Sequence, residues 1–228
     1  MGAVDLTRAS LLREMLTGTE LGTQTRDFGH SLRRYTTRTG GLMLFGPVDE
    51  EPWHLTAHLD DELHRAGVEN IRPSLVRWAP PPDAPPHLAI GLDRLRDAGR
   101  GESLLVVAEE DPADTLLERI SDVRRRGTTI FSIGNGDKEL SSLSHEVLTP
   151  ELLVPDGFGW ASRPISFDHD EPEYEPQPAV TDLDSQVAEG FEMAQHLVSL
   201  AAADEEAGQP AWRRRLRTAI ERLGGEPG

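Results

Sequence analysis

Residues 103–133 constrain the fold of this chain more than any other stretch. Leu104–Ala108, opened by Ser103, is an unbroken apolar run of strand length. The spacing of Leu116, Leu117, Ile120 and Val123 then predicts an amphipathic helix over 111–126. Thr128–Ile133 is the next apolar strand. A strand without polar alternation is buried on both faces, and such strands belong to parallel sheets. Strand, helix and strand in this order cross over with a right hand, so the unit implies a parallel α/β sheet.

The remaining elements extend that unit in both directions. Residues 5–38 read as two helices broken near Thr17-Gly18-Thr19, and Gly40-Gly41 stops the second. Leu42–Phe45 is a short strand, 52–66 a helix stopped at Gly67, and Ser74–Trp78 a second strand. The proline-rich stretch 79–86 cannot pair in a sheet and reads as a stiff loop before a helix at 87–98. Leu140–Ser144 is a short helix or turn and Glu146–Leu148 a last strand. Residues 150–183, with Pro155, Pro164, Pro172, Pro176 and Pro178 among many acids, read as a long loop. A closing helix at 184–203 carries Val187, Phe191, Ala194, Leu197, Val198 and Ala201 on one stripe. That stripe either covers the sheet of its own chain or pairs with a second copy. A single α/β domain over 1–205 and an arginine-rich helix or tail over 206–228 account for the 228 residues. The arginines of the tail form a solvated face answering an acidic body, or a phosphate site.

Charge and composition exclude several classes of function. Forty acids against 23 bases give a net charge of −17, a field that repels nucleic acid and anionic membrane. The absence of cysteine excludes disulfides, thiolate metal sites and cysteine nucleophiles. The N-terminus carries no basic leader or apolar signal core, and no apolar run is long enough to span a bilayer. The expectation is a soluble cytoplasmic protein. No Walker loop, Gly-x-Ser-x-Gly elbow or Gly-x-Gly-x-x-Gly occurs.

The side chains that could carry chemistry fall in two groups. His58-x-x-x-Glu62 and Glu192-x-x-x-His196 each place an imidazole and a carboxylate on one helix face. Two such helices brought together could hold one divalent metal or move a proton. His54, one turn before His58, makes a competing pair. Glu–His pairs four apart also lend plain helix support, and that reading stays open. The second group is acidic. Asp49, Glu50 and Glu51 follow the first strand; Glu109, Glu110 and Asp111 follow the third. Both loops fall at the carboxyl ends of adjacent strands, where open α/β sheets bind ligands, and together they could hold a metal ion or an amine. Ser132 and Asn135, at the end of the fourth strand, complete this candidate ligand-binding set.

The order of elements, with Arg-Arg-Gly, Thr-Thr-Ile-Phe-Ser-Ile-Gly-Asn and Leu-Ser-Ser-Leu-Ser-His-Glu-Val-Leu in sequence, resembles a sugar isomerase (SIS) domain over about residues 20–150 and 184–203. Within that family the phosphoheptose isomerases look most similar. The resemblance implies a flavodoxin-like three-layer sandwich with a five-stranded parallel sheet in the order 2-1-3-4-5, and a homo-oligomer, either dimer or tetramer. It also implies a zinc ion held by His58, Glu62 and His196, with Glu192 in place of the family's glutamine, and Glu62 and His196 as an acid/base pair for aldose–ketose isomerisation.

The chain departs from the family where sugar phosphate binds. The family's Ser-x-Ser-Gly-x-Ser/Thr loop is replaced by Ala108-Glu109-Glu110-Asp111-Pro112-Ala113-Asp114-Thr115. The expectation is therefore a divergent SIS-family protein without standard isomerase activity. It would act as an oligomeric scaffold or regulator, or bind a small polar carbohydrate derivative. A metal-dependent isomerase using His58, Glu62 and His196 is the alternative.

Overall fold

The computed structural model describes residues 19–83, 89–150 and 183–204, the last segment with side chains at Phe191 and from Met193 onward. The predicted first helix, most of the 150–183 loop, the arginine-rich tail and the side chain of Glu192 lie outside the described residues.

The elements in chain order are α1 (Glu20–Tyr35), β1 (Leu42–Phe45), α2 (Trp53–Arg65), β2 (Pro73–Leu75), α3 (Asp93–Arg96), β3 (Ser103–Ala108), α4 (Asp114–Arg125), β4 (Thr129–Gly134), α5 (Lys138–Leu143), β5 (Glu146–Leu148) and α6 (Leu183–Ala203). The five strands form one sheet in the order β2-β1-β3-β4-β5, and every pairing is parallel. This is the α/β architecture and strand order expected above.

The pleat sorts the strand side chains into two cores. Leu42, Leu44, Leu105, Val107, Phe131 and Ile133 face α1, α2 and α6. Met43, Phe45, Leu104, Val106, Ala108 and Ile130 face α3, α4 and α5. Because successive residues point to opposite faces, β1 and the Leu104–Ala108 run of β3 are apolar at every position and feed both layers. Each fully buried Leu, Val, Ile or Phe contributes about 1.5–3 kcal/mol relative to exposure.

Local signals set the helix ends. The Thr19 hydroxyl accepts from Gly22 N–H at 3.1 Å and caps α1, at the predicted break. Asp137 caps α5 through Leu140 N–H at 2.7 Å. Two elements are shorter than their sequence patterns suggest. β2 ends at Leu75 rather than Trp78, because the next residues turn toward the loop after β1. Arg77 pairs with Glu51 at 2.7 Å, and the Trp78 indole donates to the Gly46 carbonyl at 2.8 Å. Of the helix expected over 87–98, the described residues 89–98 form only Asp93–Arg96, and the Ile90 carbonyl just before it accepts from Arg77 N–H.

The closing helix α6 packs on α1 and α2. Phe191, Ala194, Val198 and Ala202 join the core of that face, so the apolar stripe is used within its own chain. The α1–α6 approach is close at Gly29, where an added Cβ would lie 2.6 Å from Ala201 Cβ and 2.8 Å from Ala202 N. Arg33 on α1 donates to the Asp204 carbonyl at 2.6 Å and so caps the end of α6.

Gly29→Val is expected to force the two helices apart and cost about 1–3 kcal/mol, as overpacked cores do. Phe191→Ala should cost about 3–5 kcal/mol. Urea unfolding of each variant checks both, and a Gly29→Val protein as stable as the parent would contradict this packing.

Candidate functional site

In a parallel sheet of this order the chain leaves β1 toward one face and β3 toward the other, which opens a crevice between their carboxyl ends. The crevice is bounded by the β1–α2 loop, the β3–α4 loop and the β4–α5 turn. Gly46 makes the β1 exit possible. A Cβ there would meet the Val107 and Glu50 carbonyls at 2.8 and 2.9 Å.

The structure brings the two predicted acidic loops together. Burial pushes the Glu50 carboxyl above the usual carboxylate range, and repulsion from Glu110 and then Asp49 adds to it. Glu50 thus lies near enough to Glu110, across the β1/β3 junction, to feel its charge, although both are largely open to solvent, which weakens the repulsion. Glu51 is spent on structure: its carboxylate accepts from Arg77 and from Trp78 N–H. Asp111 is tied across the crevice to Asn135, whose amide donates to it at 2.9 Å, while the Asn135 carbonyl accepts from Asp137 N–H. Asn135 thus bridges the loops after β3 and β4. Ser132 does not reach the crevice. It is 1% exposed, and its hydroxyl accepts from Ser144.

Neither α2 nor α4 has a side-chain cap at its start. In their place the chain puts acids near the α4 start, with Asp114 in its first turn, which complements the helix dipole.

The second predicted group lies where α2 meets α6. His54 and His58 lie one turn apart with their Nε2 atoms 3.1 Å from each other, so one imidazole donates and the other accepts. His196 reaches them from α6, with ring centroids 4.2 Å from His58 and 5.8 Å from His54 in edge-to-face poses. All three side chains are half-buried. Helical periodicity marks His54 and His58 as neighbours, but only the packing of α6 shows that His196 joins both.

Glu62 behaves otherwise. Its side chain is 15% exposed and bonded to Arg65 at 2.8 Å. Burial holds its carboxyl above the usual range, against the lowering effect of that guanidinium. Arg65 also bonds Asp61. The expected His58–Glu62–His196 grouping is thus joined in its two histidines, while its carboxylate is engaged by an arginine on its own helix. Among the described residues no three ligating side chains already converge on one point.

No protein-family model matches the sequence, and neither does any curated protein. Two solved structures are similar in chain path. One is a protein of Salmonella typhimurium LT2 provisionally named sugar-binding, at 13% identity and a TM-score of 0.48 over 94% of this chain. The other is a protein of Silicibacter pomeroyi DSS-3 provisionally named a phosphosugar isomerase, at 12% identity and a TM-score of 0.46 over 93% of this chain. The chain spans 52% of each, about half their length. No described helix is long and apolar enough to cross a membrane.

The raised Glu50 carboxyl has a consequence for stability. The folded chain holds that proton more tightly than the unfolded one. Its contribution is therefore most favourable below the ordinary glutamate pKa and declines as pH rises through the raised value. Glu50→Gln should raise the unfolding free energy at pH 7 and leave it unchanged below about pH 4. Denaturant unfolding at the two pH values checks this, and an equal effect at both would refute it.

Proposed function

We propose that the chain is a divergent sugar-isomerase-like domain that binds a small polar, unphosphorylated carbohydrate derivative in the β1/β3 crevice. It does so without the standard sugar-phosphate isomerase reaction and as a homo-oligomer, in a regulatory or scaffolding role. The order of elements and the Thr128–Asn135 and Leu140–Leu148 stretches support the kinship. The observation that carries the reading is the acidic lining of the crevice after β1 and β3, where Glu50 feels the charge of Glu110 in the place a phosphate would take.

A phosphate dianion in that crevice would meet carboxylates instead of hydroxyls. At about 4 Å and an effective dielectric near 20, one such contact between unit charges costs about 4 kcal/mol. Several kcal/mol is enough to erase millimolar binding. A neutral polyol meets no such penalty, because carboxylates accept hydrogen bonds from hydroxyls.

One observation favours a second reading, a metal-dependent isomerase using His58, Glu62 and His196. The His58 and His196 rings do meet, at 4.2 Å between centroids. The Arg65 bond on Glu62 counts against a free general base there.

The expected outcome with sedoheptulose 7-phosphate is no turnover, and inorganic phosphate at millimolar concentration should leave the thermal midpoint unchanged. The double variant Glu50→Gln/Glu110→Gln should gain a phosphate-dependent shift. Aldose–ketose conversion that disappears in Glu62→Gln would establish the second reading instead. Light scattering on the purified protein gives the subunit number, and a monomer would remove the oligomer from the proposal.

A further inference from the structure

We propose that Asn135-Gly136, in the turn after β4, is a site of spontaneous deamidation and isoaspartate formation, and that this change unfastens that turn from the loop after β3. The reaction needs only water, so it stands whatever the crevice binds. The chain has two asparagines, Asn70 and Asn135, and only Asn135 precedes a glycine.

Deamidation begins when the backbone nitrogen of the following residue attacks the asparagine Cγ, an intramolecular step between neighbours in the chain. The turn favours that attack. Gly136 has no Cβ to crowd its nitrogen, it is exposed to solvent, and among the described residues its N–H makes no hydrogen bond. Its φ of +90° is a conformation that favours glycine, so the turn itself calls for the residue that makes Asn135 vulnerable. Asn135 Oδ1 accepts from Asp137 N–H at 3.0 Å, so a donor already faces the oxygen on which negative charge develops. The Gly136 nitrogen loses its proton to hydroxide and bonds to Cγ. The Cγ–Nδ2 bond breaks, and Nδ2 leaves as ammonia with a proton taken from water. Water then opens the succinimide at either of its carbonyls, giving aspartate or isoaspartate. The net change consumes water and releases ammonia, with no oxidation or reduction. Asn70 is the contrast: the nitrogen that would attack it belongs to Ile71, a buried β-branched residue.

The product changes the crevice because Asn135 fastens it as an amide. Nδ2 donates to Asp111 at 2.9 Å, which ties the turn after β4 to the loop after β3. A carboxylate at position 135 has no hydrogen to donate, and two ionised carboxylates at that separation repel. In isoaspartate an extra methylene also enters the main chain between β4 and α5. The bridge is therefore lost, and one more negative charge joins a crevice already lined by Glu50 and Glu110.

The test incubates the full-length protein in mildly alkaline, heavy-oxygen water at physiological temperature, with tryptic mapping by mass spectrometry at intervals. The tryptic peptide 127–138 carries Asn135 and no other asparagine, and a synthetic peptide of the same residues sets the rate without the fold. The expected result is conversion at Asn135 ahead of Asn70, giving separable aspartate and isoaspartate products that carry the heavy oxygen. Asn135→Gln should abolish that conversion. Asn135→Asp should melt at a lower temperature than the parent. The midpoint of the incubated parent should fall in step with its conversion, which decides the point if Asn135→Asp does not fold. Asn135 intact in the protein when the synthetic peptide is fully converted overturns the proposal, and so does aspartate formed without isoaspartate. An unchanged midpoint in Asn135→Asp or in the converted parent overturns the unfastening.

Discussion

The parallel pairing of β1 with β3 is the contact on which the rest of the architecture depends. Leu42 lies opposite Ser103 and Phe45 opposite Val106, so the two strands end side by side. The chain then departs to opposite faces, to α2 from β1 and to α4 from β3. That divergence creates the crevice and decides which loops line it. Whatever chemistry the chain performs at the sheet edge is written in the residues following Phe45 and Ala108. Here those residues are carboxylates, and each has a different task. Glu51 anchors the loop after β2 through Arg77, Asp111 is held by Asn135, and the charge of Glu110 adds to the burial that raises the Glu50 carboxyl.

The closing helix supplies the second constraint. α6 is remote in sequence from α1 and α2, yet it fills the groove between them. Its small residues make this possible: Ala201 and Ala202 press on Gly29, and Arg33 secures the end. The histidine cluster is a product of this docking. Two imidazoles on one helix are a local matter, whereas the third arrives from about 140 residues away because the apolar stripe beneath it is satisfied. At the opposite edge of the sheet, Glu102 is buried and joined to Arg94 at 2.6 Å and to Gly99 N–H at 2.8 Å. That edge holds the strand starts together and leaves the carboxyl edge for ligands.

Most strands and helices were legible residue by residue. β1 and the Leu104–Ala108 run of β3 lie where their apolar patterns predict, because strands buried on both faces are apolar on both; β5 also falls at its predicted residues, with Glu146 half-buried and Val147 exposed. β2 stops before its sequence pattern does. Its pattern continues to Trp78, but Arg77 and Trp78 leave the ladder for partners in the β1–α2 loop, and strand propensity does not register a partner 26 residues away. The helix at 87–98 failed for a similar reason, since Ile90 gives its carbonyl to Arg77. Among the candidate site residues, Asp49, Glu50 and Glu110 lie at the crevice, as their place after β1 and β3 implies. Ser132 was excluded by the pleat, which turns it into the core toward Ser144. Glu62 was diverted by Arg65, three residues away on its own helix and visible in the sequence as a competitor.

The sequence by itself determined the parallel sheet, the helix on each side of it and the acidic character of the crevice. These follow from periodicity and from charge, which are local properties of the chain. Tertiary structure alone decided which carboxylates remain available and which histidines meet. Availability depends on partners contributed by other loops, and the meeting of His196 with His54 and His58 depends on how α6 seats against α2. Both are outcomes of packing between segments far apart in the chain.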